Sequence, residues 1–360
     1  MNQEYLPLAN EIVATKQRVG DVERLRGSSR SIMRASWKLP SLTNSWLSRS
    51  NYEVFGYTID NAGFVHLKGV VRSGASGSSI YQLPVEVRPQ AERIFLVAAS
   101  GGYGQLRITT SGNVILENLS GSSVTTWASL SGVLFSVEKY PSGSYPLENF
   151  SYSERNYSAD LGPTVIPHPS GLVVLSGSGK TTSPPSSIQR LWSVSAHQGS
   201  DWQYSYAIFA TNSSGSSHMR LDVAKNWSMY RSGNTGSTRH CFDGVSWPSY
   251  SMIISSPITL SSGVSVISDD EYPRSLGLFT DLMGMKWIGG FLSVTNASAG
   301  ASLATIPAGS RPAQDLILPA MSNGAAAAVK VSSSGAVTFE TAGTNGSWLS
   351  IAHAYWPSNE

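Results

Sequence analysis

The chain has 360 residues, a formal net charge of +2 and only 13% charged residues. A net charge this small argues against nucleic acid or an anionic membrane as a partner, and the single cysteine, Cys241, excludes an intramolecular disulfide framework. The N-terminus lacks the basic and apolar stretches of a secretory signal, and no apolar run is long enough to span a membrane. We therefore expect a protein that is made in the cytosol and does not insert into membranes.

Residues 1–36 contain a heptad pattern. Its positions follow one another at intervals of four and three residues between Pro7, a typical helix opener, and Gly27, a typical helix stop. The pattern predicts a short helix that either packs on its own domain or associates in parallel with copies of itself. Because a helix of about 20 residues is marginal alone in water, self-association would need help from the rest of the chain. The predicted seam consists of Leu8, Ile12, Thr15, Val19 and Val22.

Residues 37–138 change to short segments in which apolar and polar side chains alternate. Gly, Ser, Asn or Pro bounds each segment, and strands spaced about 8 to 12 residues apart predict an antiparallel sandwich or barrel. The low content of Glu and Lys and the abundance of Ser, Gly, Thr and Val are typical of an all-β protein. The predicted strands lie near residues 55–59, 64–71, 94–98, 106–108, 114–116 and 133–135.

The chain also contains a long-period repeat. Pro89 and Gly112 are 23 residues apart, and Pro312 and Gly335 have the same spacing. A chance match of this extent is improbable, so the two stretches are read as copies of one unit. The repeated residues are Leu83, Pro84, Arg88, Pro89, Gly112 and Trp127, which recur as Ile306, Pro307, Arg311, Pro312, Gly335 and Trp348.

A weaker copy lies between these two. The stretch from Gly63 to Gly69 recurs as Gly171 to Gly177, although the Leu-Pro and Arg-Pro pairs are missing there. We therefore predict an N-terminal helix over 1–36 followed by three tandem antiparallel β-sandwich modules. Their predicted bounds are 37–138, 139–252 and 253–360, with the middle module the most divergent.

Each repeated residue type suggests a structural role. Proline cannot donate to a β-ladder, so the repeated prolines are expected at strand ends. Arg88 and Arg311 are interpreted either as donors to loop carbonyls or as members of ion pairs across a subunit interface. Trp127 and Trp348 are expected to fill the core or a subunit contact.

The heptad helix, Gly-x-Val-x-Leu-x-Gly, Leu-Pro, Arg-Pro, the glycine turn and Trp-x-Ser-Leu together resemble the β-sandwich repeats of minor tail proteins and receptor-binding fibres of long-tailed bacteriophages. The resemblance covers residues 54–135 and 278–351 and only fragments of the middle stretch. It implies a homotrimer in the virion tail that is attached to other tail or baseplate proteins. It also implies loops or interfaces that contact host surface glycans.

The sequence offers little sign of catalysis. Hydrolase motifs are missing, and Asp201, Asp222, Asp243 and the acids at 269–271 are expected to be solvated at turns or strand ends. Calcium binding at 269–271 is an alternative to a solvated linker. The six histidines lack metal-ligand spacing, so no metal site, no cofactor and no catalytic residue are predicted.

Residues 192–247 are rich in tryptophan and tyrosine. Aromatic rings stack on the apolar faces of sugars while nearby polar groups meet the hydroxyls, so this stretch suits glycan binding. The alternative is that these rings fill a core or a trimer interface. The candidate glycan-binding residues are Asp201, Trp202, Tyr204, Trp227 and Arg231.

Three functions are therefore open. The preferred one is a non-enzymatic tail fibre or receptor-binding protein that attaches to host cell-surface glycans. A purely structural baseplate or fibre-connector protein would have the same repeats without affinity for sugar. A cell-surface polysaccharide hydrolase is the third possibility.

Overall fold

The structure of the chain is a computed structural model. It describes residues 36–100, 102–118, 126–139, 141, 144–146, 164–168, 172–181, 189–193, 206–210, 216–221, 226–230, 238–241, 243, 246–248, 253–267, 277–280, 285–323 and 325–357. Within these ranges 53% of residues are in strands and 3% are helical, which confirms the predicted all-β class. The predicted helix over 1–36 lies outside the described residues. In the part of the chain that is described, no helix has the length and apolar character needed to cross a membrane.

The first segment, residues 47–136, forms two antiparallel sheets. One sheet has seven strands in the order β1-β4-β9-β6-β7-β8-β5, and the other has three in the order β10-β3-β2. A single 3-10 turn at Val85–Val87 follows β5. The strands are β1 (Leu47–Ser48), β2 (Gly56–Ile59), β3 (Phe64–Lys68), β4 (Val70–Arg72), β5 (Ser79–Gln82), β6 (Arg93–Ala99), β7 (Gly102–Ile108), β8 (Asn113–Asn118), β9 (Ala128–Ser129) and β10 (Val133–Ser136).

Alternation along these strands places one core between the two sheets. Val65 and Leu67 of β3 and Phe95 and Val97 of β6 are buried in the same apolar cluster. Residues two apart on a strand share a face, so each strand gives every second side chain to this core. Burial of each large apolar side chain stabilises the fold by about 1.5–3 kcal/mol.

The middle segment, residues 145–248, contains three smaller antiparallel sheets. Their orders are β11-β12-β13-β20, β14-β19 and β15-β18-β17-β16. The strands are β11 (Tyr145–Pro146), β12 (Thr164–Pro167), β13 (Leu172–Ser176), β14 (Ser178–Thr181), β15 (Gln189–Ser193), β16 (Tyr206–Ala210), β17 (Ser216–Leu221), β18 (Asn226–Tyr230), β19 (Thr238–Cys241) and β20 (Ser246–Pro248).

The last segment, residues 253–357, forms one ten-stranded antiparallel sheet. Nine strands follow the order β21-β24-β25-β30-β27-β28-β29-β26-β22, and β23 pairs with β25. A 3-10 turn at Ala308–Ser310 follows β26. The strands are β21 (Ile253–Pro257), β22 (Thr259–Leu260), β23 (Val264–Val266), β24 (Gly277–Thr280), β25 (Met285–Val294), β26 (Ser302–Thr305), β27 (Leu316–Ser322), β28 (Ala325–Val331), β29 (Ala336–Thr341) and β30 (Ser347–Pro357).

The first and last segments share one strand order. The run β6-β7-β8-β5 in the first corresponds to β27-β28-β29-β26 in the last, with a 3-10 turn at the same place in both. In the last segment, one long strand, β25, stands in the place of β3 and β4. Another long strand, β30, stands in the place of β9 and β10. A register shift between Ile288 and Gly290 interrupts the pairing of β25 with β30. The two sheets of the first segment are therefore joined into one in the last.

The repeated residues form the same loop contact in both segments. Leu83 and Ile306 each donate a backbone N–H to the carbonyl of the turn glycine at 2.8 Å, Gly112 and Gly335 respectively. The Nε of Arg88 donates to Leu83 O at 2.8 Å, and that of Arg311 donates to Ile306 O at 3.2 Å. Of the two interpretations of these arginines, donation to loop carbonyls is the one confirmed.

The first and last segments pack on each other through equivalent strands, β6 on β27 and β7 on β28. Trp127 is buried at this contact with Ala98 of its own segment and with Ile317 and Ala328 of the last. The half-buried Trp348 packs with Tyr103 of the first segment. Both tryptophans of the repeat therefore lie where the two outer segments meet.

Hydrogen bonds fix the same contact. The hydroxyl of Ser129 donates to Ile317 O at 2.6 Å, and the buried hydroxyl of Tyr103 donates to Ala320 O. Glu340 of the last segment accepts from Arg49 and from the hydroxyl of Tyr52, each at 3.2 Å. Packing and polar contacts thus hold the two outer segments in one arrangement.

Candidate functional site

The structure describes one of the five residues predicted to bind glycans. Trp227 lies on β18. Asp201, Trp202, Tyr204 and Arg231 lie outside the described residues, as do the predicted seam residues Leu8, Ile12, Thr15, Val19 and Val22. These assignments therefore stay predictions.

Trp227 belongs to the four-stranded sheet β15-β18-β17-β16, and strand pairing assigns the residues of this sheet to two faces. Trp227 lies opposite Leu221, so the two share a face. That face is mainly apolar; its positions also include Ala207, Phe209, Met219 and Met229.

The opposite face of this sheet is mainly polar. Arg190 lies opposite Ser228, Ser228 opposite Arg220, and Arg220 opposite Tyr206. These four positions form a row across all four strands, which we call the polar row. An antiparallel sheet commonly buries its apolar face and leaves its polar face in water. The polar row is therefore the candidate ligand-binding face of this sheet.

The position of this sheet relative to the outer segments is set by its edge strand. β16 packs against β6 of the first segment and against β27 and β30 of the last. The sheet that carries the polar row is therefore supported by both outer segments.

A second candidate site joins the first and middle segments. Asp60 follows β2, His66 lies on β3, and His168 follows β12, 108 residues after Asp60. The Oδ2 atom of Asp60 is 2.8 Å from the Nε2 of His66 and 3.0 Å from the Nε2 of His168. The three residues are buried, with exposures of 6%, 3% and 4%. We call these three residues the buried cluster.

The turn between β2 and β3 orients the carboxylate of Asp60. Its Oδ1 accepts the backbone N–H groups of Ala62 at 2.9 Å and Phe64 at 3.0 Å. The ring of His168 meets the ring of Phe64 edge-on, with centroids 4.5 Å apart. One carboxylate oxygen is thus held by backbone donors, and the other lies between two imidazoles.

Burial alone would raise the pKa of Asp60, but hydrogen bonds from His168 and His66 outweigh it and hold the pKa well below its usual range. The carboxylate is therefore ionised in the folded protein. A buried negative charge requires compensation by donors or by a cation. The cluster offers two imidazole nitrogens and one carboxylate oxygen, which can share a proton or bind a metal ion.

A buried network around Asp243 makes another contact between the first and middle segments. Asp243 accepts from Ser176 Oγ at 2.7 Å, from Ile94 N at 2.8 Å and from Gly177 N at 3.0 Å. The guanidinium of Arg93 lies 3.8 Å from it. Burial raises the pKa of Asp243, while Arg93 opposes that shift.

The expectation that Asp243 is solvated in a turn is therefore wrong. The residue is 7% exposed, and its carboxylate oxygens accept hydrogen bonds from donors that fix the fold. Its described partners are amides, a hydroxyl and a guanidinium, which is a structural environment rather than the pair of carboxylates that a glycosidase needs.

The buried cluster does not stand out in the sequence, because metal-ligand motifs are recognised by their spacing within short windows. Asp60 and His66 flank a tight turn, so the sequence alone could have indicated that these two residues lie close together. His168 follows β12 of a different sheet, and only the tertiary fold brings it to the other two residues. Comparisons of the chain with protein-family models, with curated proteins and with solved structures find no match.

Proposed function

We propose that the chain is a non-enzymatic tail fibre or receptor-binding protein of a virion that attaches to host cell-surface glycans. In this proposal, residues 1–36 form a helix that associates three chains and contacts other tail or baseplate proteins. Tandem β-sandwich modules then present the glycan-binding surface. The protein is made in the host cytoplasm and resides in the virion tail.

The observation that carries the proposal is the polar row on the sheet of the middle segment. Arg190, Ser228, Arg220 and Tyr206 occupy adjacent positions on four strands. Because neighbouring strands lie about 4.8 Å apart, the two arginine positions are about 10 Å apart. That spacing is within reach of two groups on one oligosaccharide.

The residue types of the polar row favour acidic glycans. The guanidinium of arginine presents planar, forked donors that match carboxylates and phosphates, and serine and tyrosine hydroxyls can bond sugar hydroxyls. The aromatic ring of Tyr206 is also of the type that stacks on sugar C–H faces. We therefore expect binding to glycans that carry uronate, sialate or phosphate groups.

The scaffold supports the same role. The first and last segments are joined by buried side chains, and β16 is packed against both. A binding face held on a fixed scaffold loses little conformational entropy when a ligand binds. Weak individual sites suffice in a trimer, since simultaneous engagement can raise avidity by about 10²-fold or more.

A glycan array probed with the full chain tests the proposal. We expect selective binding to acidic glycans, weakened at least about 100-fold in the double variant Arg190→Ser, Arg220→Ser, because each arginine–anion contact contributes about 1.5–3 kcal/mol. Trp227→Phe tests the rival assignment of Trp227 on the opposite face: if the polar row is the site, this variant should bind as the wild type does.

Three other results would indicate a different binding face or a different function. Loss of binding in Trp227→Phe with retention in the arginine double variant would place the site on the other face and contradict the polar row. A folded chain that binds no glycan and no host cell would support the structural connector instead. Release of reducing sugar from a host polysaccharide would support the hydrolase.

A further inference from the structure

The buried cluster has the donor set of a transition-metal site. Two imidazole nitrogens and one carboxylate oxygen lie within 4.8 Å of one another. Imidazole nitrogens suit Zn²⁺ and its first-row neighbours, whereas Ca²⁺ and Mg²⁺ prefer oxygen ligands only. The ligand types therefore select for zinc against the common hard cations.

The two distances from Asp60 Oδ2 to the imidazole nitrogens leave little to rearrange. Zinc binds imidazole nitrogen and carboxylate oxygen at about 2.0–2.2 Å, so ligand atoms of a tetrahedral site are about 3.3 Å apart. The separations of 2.8 Å and 3.0 Å from Asp60 Oδ2 to the two imidazoles are shorter by a few tenths of an ångström. A small outward movement of the two rings would admit the ion.

The surroundings of Asp60 also match a metal ligand. Carboxylates that bind metals are usually held by hydrogen bonds from a second layer of groups, and the N–H groups of Ala62 and Phe64 hold Asp60 Oδ1 in this way. The other carboxylate oxygen, Oδ2, therefore faces the two imidazoles. A cation there would also neutralise the buried carboxylate charge.

We propose that Asp60, His66 and His168 bind one Zn²⁺ ion through Oδ2 and the two Nε2 atoms. A water molecule completes the tetrahedron. The ion fastens the middle segment, which carries His168, to the first segment, which carries the other two ligands. Its role is to lock the two segments together.

Metal content and thermal stability of the full chain test this proposal. After purification, treatment with chelator and reconstitution with ZnCl₂, elemental analysis should find one zinc per chain. Zinc should raise Tm by about 4 °C at a free concentration one hundred times Kd, because it binds only the folded state. Cobalt substitution should give the visible absorption of a tetrahedral site.

His168→Gln separates metal binding from hydrogen bonding. A glutamine amide can still donate to Asp60, but it is a poor zinc ligand. We expect this variant to bind zinc at least about 100-fold more weakly, since even changes to groups that only support a ligand cost about 10–100-fold. His240→Gln, on β19 and outside the buried cluster, is the matched control and should keep stoichiometric zinc.

Wild-type protein that holds no more zinc than His168→Gln after reconstitution would overturn the proposal, and so would a Tm that zinc leaves unchanged. The three side chains would then be a hydrogen-bonded cluster only. Because the zinc content of the wild-type protein is measured directly, this outcome does not depend on whether a variant folds.

Discussion

At the residue scale, the repeated arginine, proline and glycine positions serve to close one loop in each outer segment. Gly112 and Gly335 adopt φ values of +88° and +95°, which L side chains rarely adopt. A Cβ on Gly112 would lie 2.7 Å from Leu83 O, and one on Gly335 would lie 2.5 Å from Ile306 O. These positions therefore need glycine both for the backbone conformation and for the close approach of a neighbouring carbonyl.

Gly112→Ala should destabilise the protein by about 2 kcal/mol more than Gly77→Ala. Gly77 has a similar φ of +81°, but a Cβ there would meet nothing within 4 Å. The control thus bears only the backbone cost of about 1–2 kcal/mol, and the difference reports the steric contact. Urea denaturation measures both free energies of unfolding. Equal losses would show that the loop adapts to a methyl group.

Glu53 provides a pH-dependent test. Burial raises the pKa of its carboxyl, and Lys68 at 3.5 Å and the Ser131 hydroxyl only partly oppose this shift. A raised pKa in the folded state means that the contribution of Glu53 to stability is full below the unfolded pKa. That contribution is then lost as the pH rises through the folded pKa.

As the pH rises from 4.5 to 8, the stability of Glu53→Gln should therefore increase relative to that of the wild type. The increase should be about 1.4 kcal/mol for each unit by which folding raises the pKa of Glu53. Denaturation curves at both pH values measure the change, with Glu86→Gln at an exposed position as the control for removing one charge. A difference between Glu53→Gln and the wild type that does not vary with pH, or that favours the wild type at pH 8, would contradict the assignment.

At the element scale, the sequence predicted strands and turns well where one face of a strand is buried. The predicted strand 94–98 corresponds to β6, and the predicted strand 64–71 is divided at Gly69, where φ is +105°, into β3 and β4. The repeat placed Gly112 and Gly335 at equivalent turns. The continuous strands β25 and β30 could not be predicted, because a register shift rather than a turn lets β25 continue where β3 and β4 are separate. Local alternation does not reveal such a bend.

The contact between the outer segments also could not be predicted from the sequence. Trp127 was expected in a core or a subunit contact, and it lies between two segments of one chain. Ala98 and Ile317 are apolar residues on the faces of their strands that point away from the core of their own segment. An apolar residue at such a position predicts burial but does not indicate which segment covers it. Tertiary packing alone identifies the last segment as that partner.

Trp127→Ala should cost about 3–5 kcal/mol, because it leaves a cavity at the contact between the outer segments. We expect the calorimetric unfolding transition to broaden or divide, since the first and last segments would be less tightly coupled. Leu47→Ala on β1, where the side chain is 52% exposed, is the control and should leave the transition single. A loss no larger than that of Leu47→Ala would show that the contact contributes little.

At the scale of the whole molecule, fold and function differ in how far the sequence could predict them. Composition and alternation were enough for an all-β chain, because burial of alternate residues is a local property. The polar row depends on the register of four strands, and the buried cluster depends on two segments meeting. Neither Arg190 with Arg220 nor Asp60 with His168 is close in sequence, so spacing could not connect them.

The proposed function depends on three copies of the chain acting together, since single sugar sites of this kind are weak and gain strength through avidity. Multi-angle light scattering of the full chain and of a chain beginning at residue 36 tests this claim directly. We predict three times the chain mass of 38.4 kDa for the full chain and a smaller assembly for the shortened one. A full chain that is monomeric at micromolar concentration would contradict the account.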